Sequence, residues 1–185
     1  MPFTFETTEI SGLVVIKPRV FPDSRGHFLE TYKKEDFTAN GIDPDFVQDN
    51  QALSRKNALR GLHFQTPPFE QAKLVRVIQG AVFDVAVDLR KDSDTYLKYF
   101  GIELSGENHT MLYVPVGFAH GYLSLCDNTV FSYKCGNVYS PDHEAGVRWD
   151  DPDIGIDWPG TNFDVSDKDK ELPCITDPGT GKGPE

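Results

Sequence analysis

The stretch AVFDVAVDL, Ala81–Leu89, has the clearest structural pattern in the chain. Every second residue is large and apolar: Phe83, Val85, Val87 and Leu89. The residues between them are aspartate or alanine. Side chains of a β-strand point alternately to its two faces, so this pattern predicts a strand with one apolar face and one mixed face.

Short apolar or alternating runs of the same kind cover most of the chain and are separated by turn residues. They are GLVVIKPRVF (12–21), FLETYKK (28–34), DFVQDNQAL (45–53), LRGLHFQ (59–65), KLVRVIQG (73–80) leading into the stretch above, YLKYFGIEL (96–104), HTMLYVPVGFAHGYLSL (109–125) and NTVFSYKC (128–135). Many short strands in succession are typical of an all-β sandwich or barrel.

Helical signals are few. KKEDFTANG (33–41) predicts a short helix, with acidic residues early and Gly41 just after its end. SPDHEAG (140–146) predicts a single helical turn. There is no internal repeat, so we expect one domain over residues 1–185. The Asp-, Pro- and Gly-rich chain after Asp150 is expected to wrap around it, and about 171–185 to form a loose tail.

Composition excludes several classes of function. The 185 residues have a formal net charge of −11, which argues against general affinity for nucleic acid or anionic membranes. Three widely spaced cysteines without a CxxC pair are typical of reduced thiols, and we expect a cytoplasmic protein. The first ten residues, MPFTFETTEI, resemble no secretory signal, and no apolar run has the roughly 20 residues of a membrane helix.

The histidines do not form a local metal signature. None of the five is paired at H-x-H or H-x₃-H spacing. PVGFAHG (115–121) resembles the second motif of cupins, P-x-G-x-x-H. Where metal-binding cupins have two histidines after the glycine of their first motif, this chain has Ala86 and Asp88. The resemblance implies a cupin-like double-stranded β-helix, or jelly-roll barrel, and we expect neither a metal nor another cofactor.

Candidate chemical groups lie outside these motifs. Arg25, Arg60 and Lys73 could grip an anionic ligand. Arg25 and Arg60 could instead be surface cations; that interpretation is favoured for Arg25, whereas the position of Arg60 inside an apolar strand favours a functional role. His63 could be a general base because an ordinary imidazole has a pKa of about 6.5. Tyr133 could be a matching acid. Either ring could instead belong to the apolar core, and residue chemistry alone favours that interpretation for Tyr133.

Longer motifs resemble one family in the expected order, from about Lys17 to Lys170. They are FPDSRGHFLETY (21–32), FVQDNQALSRKNALRGLHFQ (46–65), KLVRVIQGAVFDVAVDLR (73–90), VPVGFAHGYLSL (114–125), FSYKCGNVYSPDHEAGVRWDDPDIGIDWP (131–159) and VSDKD (165–169). The chain resembles the dTDP-4-dehydrorhamnose 3,5-epimerases. The resemblance implies epimerisation at C3 and C5 of a dTDP-linked 4-keto-6-deoxy sugar through an enolate, in dTDP-L-rhamnose biosynthesis.

The resemblance also implies a role for each matching residue. His63 would be the base, Asp169 the carboxylate that orients it, Tyr133 the acid, and Lys73 the group that stabilises the enolate oxygen. The remaining residues would bind substrate: His120 and Asn50 near the sugar and phosphates, Arg60 and Gln48 at the nucleotide and diphosphate, Tyr139 beside the pocket, and Arg25, Phe28 and Glu30 from a partner subunit, with Phe28 against the thymine. A homodimer with exchanged strands and shared sites follows.

The sequence departs from the family pattern at two positions, and three alternative functions are considered. Asn57 replaces a frequent glycine, but asparagine tolerates a left-handed backbone. Gly136 replaces a frequent Thr or Ser. The alternatives are a mono-epimerase acting at C3 or C5 only, a non-catalytic nucleotide-sugar binding module, and a metal-dependent cupin oxygenase.

LRGLHFQ (59–65) makes a geometric prediction of its own. Strict alternation puts Arg60 and His63 on opposite faces of a strand. If both serve one pocket, the strand must bend or bulge between them, and Gly61 is the residue that permits this.

Overall fold

The computed structural model describes residues 2–175. Within this range, the strands are β1 (Phe3–Thr7), β2 (Val14–Pro18), β3 (Val20–Asp23), β4 (Gly26–Leu29), β5 (Gln48–Ser54), β6 (Ala58–Gln65), β7 (Lys73–Gln79), β8 (Ala81–Asp88), β9 (Tyr99–Ser105), β10 (Met111–Val114), β11 (Phe118–Ser124), β12 (Thr129–Cys135), β13 (Glu144–Gly146) and β14 (Asp164–Val165). Helices are brief: α1 (Lys34–Thr38), α2 (Asp167–Lys170) and a 3₁₀ turn at Pro141–His143.

Two large sheets form the body of the fold. The first has the strand order β1-β2-β10-β7-β12-β5 and the second β13-β6-β11-β8-β9, with β14 added parallel to β6. Their other neighbouring strands are antiparallel. β3 and β4 form a separate hairpin. The prediction of an all-β, cupin-like barrel is therefore confirmed.

The barrel interior is apolar and comes from both sheets. Val75 and Phe131 of the first sheet meet Val82, Leu104 and other residues of the second. These side chains occupy alternate positions of their strands, so their neighbours in sequence point to the outer faces. An interior of this kind excludes water from any polar group that lies within it.

Both outer faces are also covered in part. On the second sheet, Trp158 and Val165 of the C-terminal segment pack against Val85 and Val87 of β8. This confirms the predicted wrapping segment and explains the alternation in β8: its fully apolar face is covered by that segment, and its mixed face points into the barrel. On the first sheet, α1 inserts the buried Phe37.

Most local predictions are confirmed, with some corrections. α1 and the 3₁₀ turn lie where they were predicted, and Asn57 has the left-handed φ of +67°. The prediction of a strand over 28–34 is wrong beyond Leu29, because the chain leaves the hairpin there and turns toward α1. The sequence interpretation missed β1, β13, β14 and α2.

The C-terminal end follows the body as far as the structure describes it. The backbone N–H of Arg148 donates to the carbonyl of Pro173 at 2.9 Å, and the Ile175 N–H donates to Asp151 at 2.6 Å. Residues 176–185 of the predicted tail lie outside the described residues. None of the helices in residues 2–175 has the length and hydropathy that a bilayer-spanning helix requires.

Candidate active site

A histidine–aspartate pair lies where β6 meets α2. His63 Nε2 is 2.9 Å from Asp169 Oδ1, and the backbone N–H of Gly61 donates to Asp169 Oδ2 at 3.2 Å. The Ser166 hydroxyl accepts from the Asp169 N–H and caps the helix. Asp169 is only 4% exposed. Because a carboxylate only accepts, the shared proton belongs to Nε2, and Nδ1 of His63 keeps the lone pair that a base needs.

The pKa of Asp169 lies below its usual value. Burial alone would raise it, but the hydrogen bond and charge of His63 and the Gly61 N–H outweigh the burial. Asp169 is therefore ionised at neutral pH and holds His63 by charge as well as by geometry.

The strand that carries His63 is irregular at the predicted position. His63 of β6 is opposite His120 of β11, and Arg60 is opposite Tyr122, so Gly61 and Leu62 together face the single residue Gly121. This is a β-bulge, and the peptide bond between Gly61 and Leu62 is cis. Because Gly61 and Leu62 together occupy a single position in the pairing with β11, the side chains of Arg60 and His63 point to the same face of the strand.

A cavity of about 960 Å³ opens beside the pair. His63, Arg60 and His120 from the second sheet line it together with Lys73 and Tyr133 from the first. The volume lies at the upper end of the usual range for ligand pockets, about 300–1,000 Å³. A second cavity of about 360 Å³ shares His63, Lys73 and Tyr133 and adds residues at its rim, namely Gln48, Asn50, Tyr139 and Glu144.

Burial changes the pKa values of two groups that the first sheet contributes to the cavity, Lys73 and Tyr133. It lowers the pKa of Lys73, against the opposing charges of Cys135, Asp84 and Glu144. The Lys73 ammonium donates to the carbonyl of His63 at 3.4 Å. Burial also raises the pKa of Tyr133, so its phenol keeps its proton at neutral pH. A proton-donating phenol and a lysine amine therefore lie across the cavity from the imidazole.

His120 belongs to a second imidazole–carboxylate pair. Its Nε2 lies 3.0 Å from both oxygens of Asp84. Asp84 is fully buried and His120 is 6% exposed. The ring of Phe131 stacks beside His120 with 6.2 Å between ring centroids. This pair lies inside the barrel, whereas His63 and Asp169 lie at its mouth.

Hydrogen bonds order the rim of the site. Gln48 accepts from the Tyr139 N–H at 2.9 Å and donates to Asn50 at 3.1 Å. The Tyr139 hydroxyl donates to Glu144 at 2.6 Å, and the Lys168 ammonium donates to the same oxygen at 2.7 Å. Arg60 remains exposed and donates through Nε to Ser54 at 3.2 Å.

Three of the residues identified in the sequence lie elsewhere. Arg25, Phe28 and Glu30 lie in or beside the β3–β4 hairpin and do not line either cavity of their own chain. Phe28 is 65% exposed, and Arg25 pairs with Asp23 of the same turn. The other nine predicted site residues line one or both cavities.

Several polar groups at the site were missed by sequence reasoning. They are Asp84, Ser54, Glu144 and Lys168. Only Asp84 could have been identified from the sequence, because an aspartate inside a strand that is buried on both faces needs a partner.

Within residues 2–175, no group of three or more His, Cys, Asp or Glu side chains could hold a metal ion. Asp88 instead bonds Arg90, Ser93 and Thr95.

Comparison with known proteins identifies relatives of this chain. A family model described as dTDP-4-dehydrorhamnose 3,5-epimerase matches residues 7–177. An enzyme of that name from Methanothermobacter thermautotrophicus is 50% identical over 171 residues, covering 91% of this chain and 92% of the relative. A crystal structure of the Bacillus anthracis enzyme with TDP and PPi bound has a TM-score of 0.91 at 44% identity, covering 94% of this chain and 99% of that one. The Legionella pneumophila enzyme in complex with dTDP-4-keto-L-rhamnose has a TM-score of 0.91 at 40% identity, covering 95% of each chain.

Proposed function

The chain belongs to the dTDP-4-dehydrorhamnose 3,5-epimerase family, and we propose that it inverts C3 and C5 of dTDP-4-dehydro-6-deoxy-D-glucose with His63 as base and Tyr133 as acid. The single observation that carries the assignment of roles is their position in one cavity: the oriented imidazole comes from one sheet and the protonated phenol from the facing sheet. Epimerisation needs a proton removed from one face of a carbon and returned to the other.

The ketone at C4 makes the chemistry possible without redox change. It acidifies the C–H bonds at C3 and C5. Nδ1 of His63 takes such a proton, and the electron pair moves into the C4 carbonyl to give an enolate. The Tyr133 hydroxyl then gives its proton to the opposite face of the carbon. His63 and Tyr133 return to their starting forms by exchanging protons with solvent before the second carbon reacts.

The enolate oxygen needs a fixed positive charge. Lys73 is held by its bond to the His63 carbonyl and lines the same cavity. Burial lowers its pKa and the charge of Asp84 opposes that effect, and the proposed role requires its protonated form. A preorganised charge in a site shielded from water stabilises a developing oxyanion more than a charge in bulk solvent does. Asp169 stabilises the imidazolium that forms when His63 accepts the proton.

The nucleotide end of the site is assigned by the same reasoning. Arg60 is an exposed guanidinium at the cavity and suits the diphosphate. Gln48, Asn50 and Tyr139 form the ordered rim, and the family resemblance implies that His120 lies near the sugar and phosphates.

We also propose a homodimer whose β3–β4 hairpin completes the partner's site. Arg25 and Phe28 are presented outward, away from the cavities of their own chain. The outer face of the first sheet leaves Leu53 64% and Ile78 46% exposed. A second copy would cover such apolar side chains. Sedimentation should show a dimer, and Phe28→Ala should weaken dTDP binding without unfolding the chain.

A cytoplasmic location is part of the proposal. The thiols of Cys126 and Cys135 are not joined in a disulfide, as expected in a reducing compartment. A nucleotide-sugar substrate is consistent with the same compartment.

The decisive experiment is hydrogen exchange in heavy water. The protein is incubated with dTDP-4-dehydro-6-deoxy-D-glucose, and deuterium at C3 and C5 is followed by NMR. We expect incorporation at both carbons and formation of the inverted sugar. Exchange at one carbon alone would select a mono-epimerase. No exchange with undiminished dTDP binding would select a binding module. Either result would overturn the proposal.

A further inference from the structure

Asp84 is a carboxylate enclosed inside the barrel. Its exposure is 0%, and it lies on β8 between Val82 and Ala86, which belong to the apolar interior. Both of its oxygens are 3.0 Å from Nε2 of His120. Burying a charge is costly unless it is paired and hydrogen-bonded, and an apolar pair of similar volume usually stabilises a fold equally well. A carboxylate at this position therefore suggests a function beyond folding.

The contact determines which nitrogen of His120 faces the cavity. Carboxylate oxygens accept, so the ring holds its proton on Nε2. Nδ1 has no hydrogen bond to any residue in 2–175. In that range Asp36 Oδ2 is the one buried side-chain oxygen or nitrogen without a partner. Nδ1 is therefore not buried without a partner. Because His120 lines the large cavity, we take Nδ1 to be accessible from that cavity.

The charge of Asp84 also acts on a second pocket group. Burial lowers the pKa of Lys73, and the negative charge of Asp84 is among the groups that oppose this effect. One buried carboxylate thus acts on two groups that line the cavity: it is hydrogen-bonded to His120, and its charge acts on Lys73. Removing its charge would disturb both groups.

We propose that Asp84 is a positioning residue of the epimerase, which holds the proton of His120 on Nε2 and so presents Nδ1 to the substrate beside Lys73. The expected kinetic effect rests on the proposed function, whereas the position of the His120 proton does not. Without the carboxylate, Nε2–H has no acceptor, and the ring can move its proton to Nδ1 or rotate away.

The first test reads the ring directly. Protein labelled with ¹⁵N-histidine is studied by two-bond ¹H–¹⁵N correlation, with His120→Gln to assign the signal. The unmodified protein is expected to show the Nε2–H form of neutral His120, and Asp84→Asn a mixture of forms. An Nδ1–H form in the unmodified protein would overturn the proposal, whether or not the variant folds.

The second test is kinetic and uses a matched control. Asp84→Asn is expected to lower kcat about 10–100-fold, the range seen when the partner that orients a metal-binding histidine is removed, with the dTDP affinity changed less than about threefold. Asp88→Asn is the control, because Asp88 is equally buried on the same strand but bonds Arg90, Ser93 and Thr95 instead of a pocket residue. The folded control should keep kcat and the His120 tautomer.

The outcomes separate this inference from the proposed function. An Asp84→Asn protein with unchanged kcat and an unchanged His120 tautomer would overturn the positioning role. Absence of deuterium exchange in the unmodified protein would instead overturn the epimerase proposal. The tautomer measurement decides the structural part of the inference in either case.

Discussion

Replacing Asp169 by asparagine tests the base directly. The substitution conserves shape but leaves one oxygen where the carboxylate presents two. That oxygen can serve the His63 Nε2–H or the Gly61 N–H, which are now bonded at 2.9 and 3.2 Å. The amide NH₂ then faces the donor that remains. Either His63 loses its orientation, or the bulge loses its hydrogen bond.

The structure sets the expected size of both effects. A hydrogen bond to a charged group contributes about 1.5–3 kcal/mol to stability, and Asp169 is almost fully buried. We therefore expect the free energy of unfolding to fall by about 2–3 kcal/mol. Replacing the aspartate of an aspartate–histidine pair by asparagine can lower kcat by about 10⁴ through the wrong tautomer, so we expect a fall of about 10²–10⁴.

The pH dependence of this difference has a definite sign. The pKa of Asp169 is lowered in the folded protein, so its contribution to stability is complete above the ordinary carboxyl pKa of about 4 and declines as the pH falls further. Asparagine does not titrate. The stability gap between the two proteins should therefore be widest near neutral pH and should narrow below about pH 4.

The assay combines deuterium exchange at C3 and C5 with urea unfolding. Asp167→Asn is the control, because Asp167 lies on the same helix with its side chain 96% exposed and pairs only with Lys170 among residues 2–175. An exposed pair of this kind contributes less than about 1 kcal/mol. If Asp169→Asn exchanges deuterium within about threefold of the unmodified rate, the assignment of His63 as an aspartate-oriented base is wrong.

Three further predictions test other parts of the site and fold. Tyr133→Phe should lower formation of the inverted sugar about 10²–10⁴-fold while deuterium still enters through His63; equal loss of exchange and inversion, measured by NMR, would contradict an acid role. Gly61→Ala should destabilise the fold by more than about 2 kcal/mol in urea unfolding, because the new Cβ would lie 2.6 Å from Gly121 Cα at a φ of +125°; an unchanged unfolding midpoint would refute this. Burial and the charge of His27 lower the pKa of His109, so stability should fall as the pH drops below about 6.5; His109→Gln should reduce that fall, and an identical pH profile would exclude His109 as its source.

Much of the fold could be predicted because its signals are local. The alternation in Ala81–Leu89 and the turn residues between the apolar runs act over a few positions, and they identified most of the strands. β1, β13 and β14 were missed, and the strand predicted over 28–34 ends at Leu29. β1 pairs with the neighbouring β2, and β13 and β14 pair with β6, which is far from them in sequence. After Leu29 the chain turns toward α1. In each place, contacts outside the stretch decide the outcome rather than local preference.

The sequence by itself determined the residue types and the family resemblance, including an imidazole, a glycine and a guanidinium in one strand. Only the tertiary structure decided which groups meet. His63 and Asp169 are 106 positions apart in the chain, and their contact depends on the C-terminal segment returning to β6. The link between Asp84 and His120 likewise depends on the register of β8 against β11. Such contacts arise from the burial of complementary faces over the whole barrel, which no short stretch of sequence encodes.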